Sequence, residues 1–175
     1  MLILQNTLIK GNELNESPKV VQPRYREGLF SSVSAGFFFI LVGTIFVTMP
    51  NLFDNILAFF RDFGTVSVPN TDILLPAPAS PGAHSVVYSA VGQFSLIWGL
   101  FEIVILVLRF SVGSPLSKKA ENASNLVFWL GASFLIYTFL NETTTATTWF
   151  VFWTTIIMLI GASLIARAVI LAAAR

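Results

Sequence analysis

Few residues in this chain are equipped for chemistry, and the first is an acid in an apolar setting. Glu102 stands inside the hydrophobic run 86–110, where an ionisable side chain is costly and either pairs or lines a polar pathway. Two arginines are within reach of such a role. Arg109 lies two turns further along the same run, roughly 10 Å by helical rise, and is placed to snorkel toward the interface. Arg167, in the run 149–171, shares the depth of Glu102, both being roughly 24 to 27 Å from the outer surface at 1.5 Å per residue. Matching depth predicts an intramembrane Glu102–Arg167 ion pair. In the rival arrangement Arg167 snorkels as well and Glu102 stays protonated.

Other chemistry is thin. His84 is the single histidine and the chain has no cysteine, so one copy cannot build a bis-histidine haem, a paired-histidine zinc site, a thiolate site or a thiol nucleophile. Flanked by Gly82 and Ser85 in a Pro-rich stretch, His84 is expected to be solvated. No Gly-x-Gly-x-x-Gly, P-loop or Gly-x-Ser-x-Gly string occurs. The expectation is a protein that is not an enzyme and carries no cofactor or metal.

The elements that position these residues follow from composition. Of the 175 residues 55% are hydrophobic and 11% charged, against roughly 25% charged in a soluble domain. The net charge of +1 offers no field for nucleic acid. Apolar runs at 29–49, 86–110, 123–140 and 149–171 each approach the roughly 20 residues needed to cross a bilayer. The predicted fold is therefore all-α: a four-transmembrane-helix bundle with a short amphipathic helix in its first outer loop, 50–85. An arm, 1–28, precedes the bundle and a short tail, 172–175, follows it. The opening Met1-Leu2-Ile3-Leu4 is too short for a signal peptide, so the first span is expected to direct insertion. Nine of the ten cations fall in the arm, around the 111–122 connection and at the end, and only Arg61 falls in the other two loops. Both termini are thus expected in the cytoplasm of a multi-pass cell-membrane protein.

Within the outer loop, residues 51–63 place Leu52, Phe53, Ile56, Leu57, Phe59, Phe60 and Phe63 on one broad helical face, with Asn51 as N-cap and Gly64 as terminator. The helix either lies in the outer interface, with Phe53, Ile56, Phe60 and Phe63 as its apolar contacts, or packs as a lid over the spans. Residues 65–85, rich in proline, are expected to be extended and without a sheet. The strings Met49-Pro50-Asn51-Leu52-Phe53-Asp54 and Phe59-Phe60-Arg61-Asp62-Phe63, within residues 43–63, resemble small uncharacterised archaeal four-span integral membrane proteins. That resemblance implies the four-span body and no activity. Tetraspanins and claudins share the span count but carry outer-loop cysteines, which are absent here.

Spacing by sevens on the second run sets Ser85, Gly92 and Gly99 beside a row of Tyr88, Ser95, Glu102 and Arg109, a face that is small and polar. Small residues let helix backbones approach in lipid, so Ser85, Gly92, Ser95 and Gly99 are expected to form a helix-packing seam. Ser32, Gly36 and Gly43 suggest a second seam in the first run; Thr154, Gly161 and Ala168, with Ala162 and Ala166, suggest a third in the last. The favoured function is a non-catalytic accessory or self-assembling subunit acting through helix–helix and lid contacts. Its partners would be the lipid bilayer and other membrane-protein subunits or copies of itself. The alternative is an oligomeric channel or transporter subunit using Glu102, and a third option is an enzyme subunit whose cofactor is held elsewhere.

Overall fold

A computed structural model of the chain describes residues 23–173, with side chains from residue 28 onward. Residues 1–22 of the expected arm therefore lie outside the described residues, and 23–28 belong to the first helix. The elements run α1 (Pro23–Thr48), α2 (Leu52–Arg61), β1 (Phe63–Ser67), β2 (Leu74–Pro78), a single 3-10 turn (Pro81–His84), α3 (Ser85–Ser111), α4 (Leu116–Phe139) and α5 (Ala146–Ala172). Pro23 opens α1 where its missing N–H costs nothing.

Three stretches are long and apolar enough to cross a membrane: Gly28–Thr48, Pro81–Ser111 and Ala146–Ala172. They match the first, second and fourth expected spans. Of the expected span 123–140, residues 123–139 fall in α4, which is 24 residues long and starts earlier than expected, and Leu140 is its C-cap. Its opening turns carry Lys118, Lys119, Glu121, Asn122 and Asn125, so apolar character is confined to its second half.

On α3, Gly92, Ser95, Gly99 and Glu102 are all buried, and α4 lies along them. A Cβ added to Gly99 would sit 2.5 Å from Leu130 Cδ2, and one added to Gly92 would sit 3.0 Å from the Tyr137 ring. Ser133 Oγ donates to the Gly92 carbonyl at 3.2 Å. On the other side of α4, Gly131 abuts Leu159 of α5, and Ser124 Oγ donates to the Ser163 carbonyl at 2.8 Å. Ser85, at the start of α3, is only half-buried. In the seams expected in α1 and α5, Gly36, Gly43 and Gly161 are exposed, with no atom of the described residues within 4 Å of an added Cβ.

The outer loop departs most from expectation. β1 and β2 pair antiparallel, with Phe63 opposite Pro78, Thr65 opposite Pro76 and Ser67 opposite Leu74, so the fold is not purely α. The prolines are tolerated because of register. Val68 N–H donates to Ile73 O at the turn, and Ala79 N–H donates to Asp62 O at the base, which makes the pairs of that phase the hydrogen-bonded ones. Pro76 and Pro78 fall on the opposite phase, where no ladder donor is needed. Asn70 turns the chain at φ 63°. The loop closes with a 3-10 turn rather than staying extended to residue 85.

Helix α2 also ends sooner than expected. It stops at Arg61, Asp62 caps it by its backbone N–H, and Phe63 and Gly64 already belong to β1. Asn51 does stand at the N-cap position, but left-handed at φ 53° and without a side-chain cap; Asn55 Nδ2 instead donates to its carbonyl at 2.9 Å. The broad apolar face is split in use. Leu52 and Ile56 join Leu41 and Ile45 of α1 and Ala90 of α3 in one core cluster. Phe59 packs with Tyr88, Trp149, Phe152 and the hairpin's Ala77 in the other. Phe53 and Phe60 point out, 62% and 67% exposed.

Candidate functional site

Polar side chains converge in a cavity of about 310 Å³ between the N-terminal half of α1, the C-terminal half of α3 and the start of α4. Its walls are Phe30, Ser31 and Ser34 from α1; Trp98, Glu102, Ile105 and Arg109 from α3; and Lys118, Glu121, Asn122 and Asn125 from α4. Glycine at 99 brings α4 close enough for this meeting.

Glu102 finds its partner in Asn122, not Arg167. Asn122 Nδ2 donates both to Glu102 Oε2 and, at 3.2 Å, to the Glu102 carbonyl. Both residues are buried, at 9% and 2% exposed. Asn122 Oδ1 has no donor. The amide orientation is fixed by this arrangement, since a flip would set Oδ1 against a carboxylate oxygen. Trp98, one turn before Glu102, lines the same cavity. Arg167 is exposed on α5, and the ion pairs of the described residues do not include Glu102 with Arg167. Equal depth along two helices does not fix which way each side chain turns, and that is why the expected pair fails.

The cations near the cavity are held in place. Arg109 Nη1 donates to the Lys118 carbonyl at 2.7 Å and its guanidinium lies 5.6 Å from the Phe30 ring centre. It thereby spans the turn 112–115, where Gly113 adopts φ 67°. Lys118 Nζ meets Glu121 Oε2 at 3.0 Å.

A second polar cluster sits at the opposite end and has no counterpart in the sequence reading. His84 is 8% exposed, not solvated. Its Nε2 lies 2.8 Å from Asp62 Oδ2, which also accepts the Ser80 N–H at 2.8 Å. The His84 ring meets Phe59 edge to face, with centroids 5.2 Å apart. Hydrogen bonding from His84, and then from Ser80, holds the Asp62 carboxyl below the ordinary value of 3.8. Tyr88 OH donates to the Pro81 carbonyl at 2.7 Å. Only the single histidine in the composition could have hinted at the contact, because 22 residues separate it from Asp62.

Among the expected interfacial residues, Ile56 is turned inward, while Phe53, Phe60 and Phe63 lie at the surface. Among the described residues no group of three or more His, Cys, Asp or Glu is placed to hold a metal ion. No family model, curated protein or solved structure matches the chain, so the resemblance within residues 43–63 rests on those residues alone.

Proposed function

We propose that the chain is a multi-pass integral membrane protein with four crossing helices, α4 being the fourth, and both termini in the cytoplasm. It is non-catalytic and serves as an accessory or self-assembling subunit. The observation that supports this best is a contrast among its glycines. Gly82, Gly92, Gly99 and Gly131 are each occupied by a neighbouring backbone or side chain, whereas Gly36, Gly43 and Gly161 face outward unopposed. Rows of small residues in lipid favour close helix contact, and at these glycines no described residue of the same copy makes that contact. The exposed Phe53 and Phe60 on the lid extend the same outward apolar surface. Native mass spectrometry of the chain released from nanodiscs is expected to give a defined oligomer or a stoichiometric complex. Gly43→Ile and Gly161→Ile should each break it without unfolding the chain, and a monomer under all conditions would overturn the reading.

The cavity around Glu102 favours a second reading, a channel or transporter subunit in which Glu102 lies on the pathway. Ion or proton flux into proteoliposomes that is lost on Glu102→Gln is its signature.

A further inference from the structure

We propose that the cavity between α1, α3 and α4 is a binding site for a small primary ammonium compound. The inference rests on the cavity itself and on neither assembly nor transport.

The space is about 310 Å³, several times the roughly 30 Å³ share of one water, and so admits an organic molecule. Its charged and polar groups are unevenly engaged. Lys118 is neutralised by Glu121. Arg109 is committed to the Lys118 carbonyl and the Phe30 ring, about 10 Å along α3 from Glu102. An entrant cation therefore meets Glu102 at the far end of the cavity as an acceptor with one oxygen, Oε2, already bonded to Asn122. Beside it Asn122, 2% exposed, has a second acceptor, Oδ1, without a donor. An acceptor-rich wall of this kind is matched by a group with several N–H donors. Trp98 adds an aromatic face to the lining, and such faces attract ammonium groups through the ring quadrupole. A divalent metal would want several carboxylates, and of the two in this lining Glu121 is already engaged by Lys118. A quaternary ammonium would satisfy the rings but leave the acceptors unpaired.

Radiolabelled ethylammonium, applied to the full chain in nanodiscs, tests this by scintillation proximity. Saturable binding is expected, displaced by propylammonium and not by equal concentrations of sodium or tetramethylammonium. Glu102→Gln should weaken it about tenfold or more, because the charged acceptor is lost. Since that variant removes a buried group, the thermal midpoint of the unmodified chain is measured alongside and should rise with propylammonium. Absence of saturable binding, equal displacement by sodium or tetramethylammonium, or undiminished binding in folded Glu102→Gln would each overturn the proposal. None of these outcomes bears on the oligomer or flux measurements, so the readings fail separately.

Discussion

Asp62 Oδ2 and His84 Nε2 lie 2.8 Å apart, and this contact closes the base of the hairpin. The Asp62 carbonyl accepts from Ala79 and its carboxylate from Ser80, so one residue ties α2, β2 and the 3-10 turn together. Because the folded carboxyl titrates below its ordinary value, its contribution is complete above the unfolded carboxylate range and is lost as pH falls through the lower folded value. The lid should therefore loosen in acid, below about pH 4. Amide exchange at Ala79 and Ser80 against pH checks this. Asp62→Asn should cost about 1–2 kcal/mol and remove the acid dependence.

Asn122 and Glu102 should be energetically coupled while Glu102 and Arg167 are not. In a thermal double-mutant cycle, Glu102→Leu with Asn122→Leu is expected to be non-additive by about 1 kcal/mol, the scale of a hydrogen bond between helices in lipid. Glu102→Leu with Arg167→Gln should add. Coupling to Arg167 instead would contradict the geometry.

Glycine is required at 82 and optional at 43. A Cβ on Gly82 would lie 2.5 Å from the Glu142 carbonyl oxygen, a backbone atom that cannot rotate away, whereas Gly43 has nothing within 4 Å. Gly82→Ala should destabilise by about 1–3 kcal/mol, the usual cost of overpacking. Gly43→Ala should leave the midpoint of a monomeric preparation in detergent unchanged or slightly raised.

Phe59 and Phe60 are neighbours with opposite duties. Phe59 contacts His84, Tyr88 and Trp149, so Phe59→Asp should unfold the lid. Phe60→Asp should move the midpoint in detergent far less, since Phe60 is mostly exposed. A tryptophan at position 60 should be quenched by brominated lipid if α2 rests in the interface.

Sidedness has a direct reading in a chain without cysteine. Asp72→Cys in the hairpin turn and Ser117→Cys at the start of α4 are both exposed positions. Impermeant reagents should label them from opposite faces of sealed vesicles, and labelling from one face would exclude a four-span path.

The apolar runs made the helices legible because hydrophobic length is a one-dimensional signal. The spacing of Gly92, Ser95, Gly99 and Glu102 likewise revealed a buried face on α3, since period alone fixes which side chains share it. The hairpin was hidden by Pro76 and Pro78, which read as strand breakers until the register shows that their missing N–H groups face away from β1. The partners of Glu102 and His84 were hidden for another reason. Each contact joins residues about 20 positions apart through the meeting of two elements, and neither composition nor period encodes rotation of one element about another.

The hairpin has a practical consequence. Its neck is shut by the Val68 to Ile73 hydrogen bond and its base by Asp62, so the turn at Asn70 is insulated from the helices on both sides. Lengthening such a loop costs only about 0.6 kcal/mol per doubling, and an exposed tip is where foreign sequence is best tolerated. The molecule thus offers a built-in handle: a short epitope spliced at Asn70 would project from the lid, and an antibody fragment bound to it would give this small protein a rigid fiducial for imaging.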